Sequence, residues 1–202
     1  MDRDKPASID EQHLISGPGL WLSPWLVFLL SLGVYTLTLP RAITLEDAGL
    51  FQMVCHLGGI SHPPGYPLFT LVCQPFVQLP FFPADAFAGN FLSALFAAAT
   101  VGVFHHLCFI MRGRLFAWLA SGAYAFSATF WSQAIIIEVY TLSVLMFVLC
   151  WWCIQRFVAT GNAAHFYLLG FVYGLSLCNH WPLMVLSTPA LLVLLWQRLD
   201  EL

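Results

Sequence analysis

The chain has 202 residues, of which 60% are hydrophobic and only 8% are charged, with a formal net charge of −3 and a mean hydropathy of +0.81. A soluble globular domain carries roughly 25% charged residues, so a chain this poor in charge cannot cover a water-facing surface. The net negative charge provides no basic face for nucleic acid and excludes that class of partner. These figures predict an integral membrane protein whose main partner is the lipid bilayer.

Continuous apolar runs decide how the chain crosses that bilayer. A spanning helix needs roughly 20 consecutive apolar residues, whereas a strand of a membrane barrel shows about 10 residues of alternating polarity. The runs here are continuous. The sequence therefore predicts an all-α polytopic membrane protein with about six transmembrane helices. Residues 1–20 are expected to form a cytoplasmic tail, and residues 21–202 a single transmembrane domain.

The first predicted span covers residues 21–39. Pro24 suits the first turn of a helix, and Pro40 ends it because proline cannot continue the helical hydrogen-bond ladder. Residues 41–65 are polar but have an amphipathic helical period. Residues 68–82 are short for a span and contain prolines, so we predict a re-entrant or juxtamembrane helical outer loop. The apolar positions of the amphipathic period are Leu45, Leu50, Phe51, Val54 and Leu57.

The remaining apolar runs predict spans at residues 88–111, 115–130, 139–157, 165–178 and 182–196. Basic residues set the orientation, because cytoplasmic loops carry an excess of Lys and Arg. With residues 68–82 re-entrant, all basic residues except Arg41 fall on one face, which places the N-terminus in the cytoplasm. We expect a multi-pass protein of a bacterial inner membrane or an endomembrane. The residues on the cytoplasmic face are Arg3, Lys5, Arg112, Arg114, Arg156 and Arg198.

This topology collects the unusual polar residues on the outer, or lumenal, face. The loop after the first span carries Glu46, Asp47 and His62, the loop after the third span ends at Glu138, and His180 lies between the last two spans. Ionisable groups near hydrocarbon are costly and usually mark a functional path or site. We therefore expect the site on the outer face, with Asp47, Glu138 and His180 sharing one pocket.

Each of these groups also has an ordinary structural interpretation. Glu46 and Asp47 suit a general base, a metal ligand or a solvated loop. Glu138 follows a run of isoleucines, where a desolvated carboxylate needs a partner or a function. His62 precedes a proline–glycine turn, and His180 suits a helix cap. A zinc ion held by the outer histidines and a carboxylate is chemically compatible, but their spacing matches no ligand signature, so no metal site is assigned.

The cysteines and the paired histidines of the predicted span 88–111 indicate packing. All six cysteines are expected to be structural residues that behave as small apolar groups. Cys150 and Cys153 have the spacing of a redox motif, but they lie inside a predicted span. His105 and His106 are expected to be buried polar packing residues.

Five segments of the chain form an ordered set: TLEDAGLF from Thr44, HPPGYPL from His62, NFLSALF from Asn90, FSATFWSQA from Phe126 with EVY from Glu138, and GLSLCNH from Gly174. Together they resemble the transmembrane protein 260-like family, also called domain of unknown function 2723. The resemblance runs over residues 32–195, nearly the whole apolar part. The order of the segments makes it specific.

The resemblance implies a GT-C glycosyltransferase architecture, similar to that of protein O-mannosyltransferases, with this chain as an N-terminal module. Such enzymes take a sugar of the mannose type from a polyprenyl-phosphate donor and attach it to a hydroxyl on the non-cytoplasmic side. The family usually has Asp-Ser-Gly-Glu-Phe in its first loop. This chain has DAGLF from Asp47, so Asp47 is kept and Leu50 replaces the second acid. Family members also usually continue into further spans.

The resemblance also implies roles for individual residues. Asp47 is the expected base for the acceptor hydroxyl, with Glu46 and Glu138 as further catalytic carboxylates. A lipid phosphate needs positive charge nearby, so a divalent metal is compatible with the chemistry, although no cofactor is assigned. The expected substrate-binding residues are His62, Tyr66, Trp131, Gln133, Tyr140, Asn179 and His180.

Two other functions remain open on the sequence alone. A non-catalytic member would serve as an accessory subunit of a larger membrane complex, which Leu50 in place of the second acid and the scarcity of outer cations besides Arg41 favour. A transporter would use Glu138 as a proton site, although the sequence shows no inverted repeat. Co-purification with fixed partners would favour the accessory subunit.

Overall fold

A computed structural model describes residues 19–44, 47–83 and 86–199. All regular secondary structure in these ranges is helical, as the composition predicts. Residues 1–18 of the predicted tail, Glu46 and Asp85 lie outside the described residues, whereas residues 19 and 20 belong to the first helix. The helices are α1 (Gly19–Thr38), α2 (Ala48–Leu57), α3 (Pro67–Val77), α4 (Phe87–Arg112), α5 (Arg114–Ala125), α6 (Ala128–Ala134), α7 (Tyr140–Thr160) and α8 (Ala163–Leu199).

Helix α4 is the axis of the bundle, because α1, α5 and α7 all pack against it. Its buried face is rich in small residues, among them Ala94, Ala97 and Ala98. At Gly102 an added Cβ would lie 3.1 Å from the Pro24 carbonyl oxygen of α1. Small residues let membrane helices approach closely where no hydrophobic effect drives them together. The predicted span 88–111 is therefore the central helix of the fold.

Three helices of the described ranges are long and apolar enough to cross a membrane: Phe87–Arg112, Tyr140–Thr160 and Ala163–Trp196, the last of which is divided into two arms at His180. The protein is thus a membrane protein by length and composition of these helices. Leu22–Thr38 lies where the first span is predicted and is a shorter apolar helix. The full set of six spans stays a prediction.

The predicted span 115–130 is wrong as a single helix. Helix α5 ends at Ala125, and α6 begins only after a break at Phe126 and Ser127. The 12 residues of α5 rise only about 18 Å, against about 30 Å of hydrocarbon. The Ser127 hydroxyl donates to the Tyr124 carbonyl, and such local bonds compete with helix continuation.

Helix α8 folds back on itself at His180, whose backbone leaves the helical region with φ −115° and ψ 80°. Tyr173 Oη and Thr188 Oγ1 lie 2.6 Å apart across this turn. In a straight helix the same two atoms would be separated by roughly 20 Å. Pro182 explains the break, because its ring clashes with the carbonyl four residues earlier and disfavours helical backbone before it. The two arms of α8 therefore run antiparallel, with residues 179–181 at the turn.

Helices α2 and α3 form a small layer that a disulfide between Cys55 and Cys73 ties together. These two cysteines are structural, as expected of all six, but they form a covalent bridge rather than acting as separate small apolar groups. The amphipathic period of α2 is confirmed by its buried Phe51 and Val54, but Leu57, the last helical residue, is 81% exposed. The 11 residues of α3 rise about 16 Å, too little to cross a bilayer. Its re-entrant path stays a prediction.

The two ends of the bundle differ in chemistry. At one end, Ser93 of α4 hydrogen-bonds the backbone of Glu138, just before α7 begins. At the other end α4 stops at Arg112, where Gly113 has a positive φ of 82° that lets the chain turn directly into Arg114. The 26 residues of α4 rise about 39 Å from end to end, and Ser93 lies about 28 Å along the helix from Arg112.

The packing roles expected of His105, Cys150 and Cys153 agree with the structure, whereas His106, also expected to be buried, is only half-buried and lines a cavity between α1, α4 and α7. His105 is buried, with Nδ1 3.0 Å from Ser121 Oγ and Nε2 3.1 Å from Ser23 Oγ. Cys150 and Cys153 are free thiols buried on α7. These residues hold helices together.

Candidate functional site

Asp47 and His62 face each other across the loop that contains α2. His62 Nε2 lies 3.1 Å from Asp47 Oδ2, and His62 Nδ1 lies 3.0 Å from the Pro63 carbonyl oxygen. Their side chains are 57% (Asp47) and 39% (His62) exposed, so both are open to solvent or ligand. Both ring nitrogens face acceptors, which only the imidazolium can satisfy at once. The Pro63 carbonyl, and after it Asp47, accordingly raises the pKa of His62.

Tyr66 points from the same loop into the bundle. Its φ of 43° is left-handed, a conformation that is uncommon for residues other than glycine and persists only where the surroundings enforce it. The Tyr66 ring packs on Phe51 with 5.6 Å between centroids and stands perpendicular to His62 at 5.5 Å. Burial raises the pKa of the Tyr66 hydroxyl. The hydroxyl therefore remains a hydrogen-bond donor at neutral pH.

His180 connects this loop to the turn of α8 and to the start of α7. Its ring stacks on Tyr66 with 5.9 Å between centroids and 4° between planes, and it meets Tyr140 at 5.4 Å. His180 Nδ1 accepts the backbone N–H of Leu183. The ring therefore caps the second arm of α8, and its Nε2 carries the proton in the neutral form. We call Asp47, His62, Tyr66, Tyr140 and His180 the outer cluster, after the membrane face on which the sequence predicts the site.

Glu138 lies close behind the outer cluster. Its side chain is only 2% exposed, and its charge contributes to the raised pKa values of His62 and Tyr66. Its backbone N–H donates to Ser93 Oγ at 3.1 Å. The site therefore combines an exposed carboxylate, a buried carboxylate and one imidazole that favours its charged form.

A buried polar network holds the loop between α6 and α7 in place. Asn90 Nδ2 donates to the Pro40 carbonyl at 2.8 Å, and Asn90 Oδ1 accepts the Ile137 backbone N–H at 2.9 Å. Gln52 Nε2 donates to Asn90 Oδ1 at 3.3 Å and to the Ala86 carbonyl at 2.9 Å. Gln52 Oε1 has no hydrogen-bond partner among the described residues, but the bonds that are formed join α2, α4 and the loop before α7. Sequence reasoning missed the roles of Asn90 and Gln52, whose only signal is a polar side chain within an apolar helix.

Asn179 donates two hydrogen bonds inside the protein, whereas its Oδ1 has no hydrogen-bond partner among the described residues. It is buried, and its Nδ2 donates to the Val139 carbonyl at 3.0 Å and to Ser143 Oγ at 2.7 Å. These bonds fix the turn of α8 against the start of α7. The structure therefore places Asn179 as a positioning residue for His180, while its expected substrate contact stays a prediction.

Two of the expected binding residues lie apart from the outer cluster. Trp131 Nε1 donates to Thr38 Oγ1 at 3.2 Å, and its ring packs on Tyr35 with 6.0 Å between centroids, at the end of α1. Gln133 lines a separate cavity, of which Tyr140 forms another wall. Tyr140 is thus the residue that joins this cavity to the outer cluster.

No three or more His, Cys, Asp or Glu residues gather closely enough to hold a metal ion within residues 19–44, 47–83 and 86–199. The described part of the outer cluster offers instead a proton acceptor in Asp47 and a cation in protonated His62. Tyr66 and His180 add hydrogen-bond donors. This set suits proton abstraction from a hydroxyl next to an anionic group.

Comparison with known proteins gives one family. The family model described as the protein O-mannosyl-transferase TMEM260 N-terminal domain matches residues 47–201. The protein O-mannosyl-transferase TMEM260 of Mus musculus is 34% identical over 180 residues, which cover 84% of this chain and 26% of the mouse protein. The protein O-mannosyl-transferase tmem260 of Dictyostelium discoideum is 25% identical over 182 residues, which cover 81% of this chain and 22% of the Dictyostelium protein. The chain spans about a quarter of the length of these curated relatives. No solved structure matches the chain.

Proposed function

This chain belongs to the family of the protein O-mannosyl-transferase TMEM260 N-terminal domain, and we propose that it forms the GT-C-like membrane module of such an enzyme. The module transfers a mannose-type sugar from a polyprenyl-phosphate donor to a hydroxyl acceptor on the non-cytoplasmic side. The observation that carries the proposal is the exposed Asp47–His62 pair beside the stacked rings of Tyr66 and His180. The bilayer and the polyprenyl lipid are its partners.

Asp47 is the proposed base. Its carboxylate takes the proton of the acceptor hydroxyl while the hydroxyl oxygen forms a bond to the anomeric carbon of the sugar. The bond from that carbon to the phosphate oxygen breaks, and the lipid phosphate leaves with the electron pair. The half-exposed position of Asp47 supports this role, because an acceptor can reach it directly.

His62 supports the departure of the lipid phosphate. Negative charge on that phosphate is stabilised by charged hydrogen-bond donors nearby. The Pro63 carbonyl and Asp47 raise the pKa of His62 and so favour the charged form of its ring, which is such a donor, and the exposed side chain of Arg41 precedes the same loop. The Tyr66 hydroxyl and His180 Nε2–H offer neutral donors for the sugar or the phosphate.

The disulfide and the arginines support the proposed side of the membrane. Disulfides persist in oxidising compartments such as the periplasm and the endoplasmic reticulum lumen, and the Cys55–Cys73 bridge belongs to the layer that carries the outer cluster. Arg112 and Arg114 lie at the opposite end of α4, where cytoplasmic loops carry their positive charge. We therefore propose that the outer cluster faces the non-cytoplasmic side.

The test is sugar transfer by Asp47→Asn in membranes, with a polyprenyl-phosphate mannose donor and a hydroxyl-bearing acceptor peptide. Loss of a general base lowers the rate by about 10²–10⁴-fold, and we expect a loss in this range with normal membrane insertion. His56→Gln is the matched control, because His56 is an exposed α2 residue outside the cluster. Unchanged transfer by inserted Asp47→Asn would rule out the proposed base.

An accessory subunit is the second candidate function. Leu50, which replaces the acid usual in the family, is half-buried on α2 and cannot supply a second carboxylate. An accessory subunit would purify in mild detergent in a fixed ratio with other membrane proteins. Its Asp47→Asn variant would then leave the assembled complex fully active.

A further inference from the structure

A groove of about 340 Å³ lies between α1 and α7 on the surface of α4, separate from the outer cluster. Helices α1 and α7 both pack extensively against α4 but not against one another. They therefore leave part of the α4 surface uncovered. Small residues of α4 form the floor of the groove, and aromatic residues form much of its walls. The lining includes Ala99, Gly102 and Val103 of α4, Trp25 and Phe28 of α1, and Trp152 of α7.

The groove lies towards the end of α4 that is remote from the outer cluster. Helix α4 ends at Arg112, and the lining residues Ala99 and His106 precede it by 13 and six residues. These separations correspond to about 20 Å and about 9 Å along the helix axis. Since the hydrocarbon core is about 30 Å thick, this is the depth of an acyl chain in the leaflet on the side of Arg112.

The lining has the chemistry of a site for hydrocarbon. Its side chains are apolar or aromatic except for the imidazole of His106. Ligand pockets range over about 300–1,000 Å³, so a groove at the lower end suits one hydrocarbon chain rather than a whole lipid. Trp25 and Trp152 belong to its walls, and tryptophan is enriched where acyl chains meet the head groups. The groove therefore matches an acyl chain whose head group lies at the membrane surface.

Positive charge lies just beyond this end of the groove. Arg156 follows Trp152 by four residues on α7, which places both on the same side of that helix and about 6 Å apart along its axis. Arg156 is half-buried. The only carboxylates among the described residues, Asp47 and Glu138, lie at the opposite end of the bundle, and the other acidic residues of the sequence lie outside the described ranges. Basic groups between membrane helices on the cytoplasmic side bind anionic lipid head groups.

We propose that the groove binds one acyl chain of an anionic phospholipid of the cytoplasmic leaflet, whose phosphate pairs with the guanidinium of Arg156. The lipid bridges α1 and α7 and so stabilises the bundle. This site goes beyond the sugar transfer proposed for the outer cluster, and only the choice of leaflet rests on the proposed orientation of α4. The donor lipid of the proposed reaction acts at Asp47, at the opposite end, and is a different molecule.

The head-group contact is tested by lipid binding to the purified chain in mild detergent, measured by native mass spectrometry. The probes are dioleoyl phosphatidylglycerol and dioleoyl phosphatidylcholine, which share their acyl chains and differ in net charge. One arginine near the anionic group is worth about fivefold in affinity, so phosphatidylglycerol should bind about fivefold more tightly. Arg156→Gln should abolish this difference, and Arg156→Lys should keep most of it. Arg114→Gln is the matched control, because Arg114 is an exposed cation at the same end, on α5.

The acyl-chain contact is tested by filling the groove. Ala99→Leu adds a branched side chain to the lining, so both lipids should bind more weakly, by about fourfold for each methylene group that is displaced. Val103→Phe fills the same groove from a neighbouring position and should have the same effect if Ala99→Leu does not fold. Ala190→Leu is the control, because Ala190 is exposed on α8 and does not line the groove. Phosphatidylglycerol should raise the thermal midpoint of the wild type more than that of Ala99→Leu.

Three results would overturn the proposal. Equal affinity of the wild type for the two lipids, or equal losses for Arg156→Gln and Arg114→Gln, would remove the head-group contact. Unchanged lipid binding by Ala99→Leu and Val103→Phe would remove the groove as the site. Displacement of bound phosphatidylglycerol by a polyprenyl phosphate would assign the groove to the donor lipid instead.

The outcome is separable from that of the proposed function. If Asp47→Asn abolishes transfer while Arg156→Gln and Ala99→Leu bind phosphatidylglycerol like the wild type, the transferase stands and the lipid site fails. If Asp47→Asn transfers normally while both groove variants lose affinity, the lipid site stands and the proposed base fails.

Discussion

The imidazole of His180 lies nearly parallel to the phenol ring of Tyr66, with 5.9 Å between their centroids and 4° between their planes. One ring comes from the loop between α2 and α3, and the other from the turn of α8. Tyr66 also contacts Phe51 and His62. It is therefore the residue through which the loop of Asp47 is attached to the main bundle.

Truncation of Tyr66 should release that loop. We expect Tyr66→Ala to lower the free energy of unfolding by about 3 kcal/mol, as for other buried aromatic residues. Tyr66→Phe keeps the ring and its stack on His180, and should cost less than about 1 kcal/mol. Denaturant titration in mild detergent measures both. Equal losses for the two variants would show that the hydroxyl, not the ring, holds the loop.

The sequence predicts best those helices that form one uninterrupted apolar run. Residues 88–111 and 139–157 are recovered as α4 and α7 within a few positions. The 115–130 run fails because Ser127 and Tyr124 form a local hydrogen bond that hydropathy does not register. The sequence predicts separate spans at residues 165–178 and 182–196, and the structure has its break between them at His180, where Pro182 interrupts the helix.

The residues of the candidate site also fall into those that the sequence predicts and those that it does not. Charged and imidazole side chains stand out in a sequence with so few polar residues. Asp47, His62 and His180 are therefore predicted as site residues from the sequence. Asn90 and Gln52 were not, because a side chain in an apolar run bonds a remote backbone group only after the helices have packed. A hydrogen bond between a side chain and a remote backbone group depends on tertiary structure, and no local sequence pattern predicts it.

The pH dependence of stability should follow His62. The Pro63 carbonyl and Asp47 raise its pKa, so the folded state binds the proton more tightly than the unfolded chain. The resulting stability is fully present below the unfolded pKa of roughly 6.5 and is lost as pH rises through the folded pKa. The difference in thermal midpoint between wild type and Asp47→Asn should therefore be largest below roughly pH 6.5 and shrink above it.

The double variant His62→Gln with Asp47→Asn tests whether His62 causes the pH dependence of stability. In a His62→Gln background the ring that titrates is absent, so the difference caused by Asp47→Asn should no longer change with pH. NMR titration of the His62 ring should give a pKa above roughly 6.5 in the wild type and a lower one in Asp47→Asn. A pH-independent difference in the wild-type background would contradict the ion pair.

The disulfide should stabilise the layer of α2 and α3. Cys55 and Cys73 are separated by 18 residues, and closing a loop of this size is worth about 3 kcal/mol in the chain-entropy treatment. We expect Cys55→Ser with Cys73→Ser to lose stability of this order, whereas Cys178→Ser, an exposed free cysteine, should lose almost none. Maleimide labelling of unreduced, denatured protein checks the bridge. Modification of Cys55 or Cys73 in that sample would disprove it.

Gly89 should be intolerant of a side chain. An added Cβ would lie 2.6 Å from Ile137 Cδ1 and 2.8 Å from Gln52 Oε1, so Gly89→Ala must displace both residues. We expect a loss of about 1–3 kcal/mol in unfolding free energy, together with reduced sugar transfer. Gly122→Ala is the control, because nothing lies within 4 Å of its added Cβ and a helical alanine gains up to about 1 kcal/mol. Equal stability of the two variants would contradict the tight packing.

Opposite ends of α4 should be labelled from opposite sides of the membrane. In a Cys178→Ser background, single cysteines at Ile60 and Ser132 lie at the end of the outer cluster, and a cysteine at Arg114 lies at the other end; all three positions are exposed. Since α4 is about 39 Å long and apolar, its two ends cannot share one aqueous compartment if it spans the bilayer. An impermeant maleimide added to sealed cytoplasm-in vesicles should modify positions 60 and 132 but not 114. Labelling of 114 together with 60 would refute the orientation, and labelling of 60 without 132 would separate the loops that form the outer cluster.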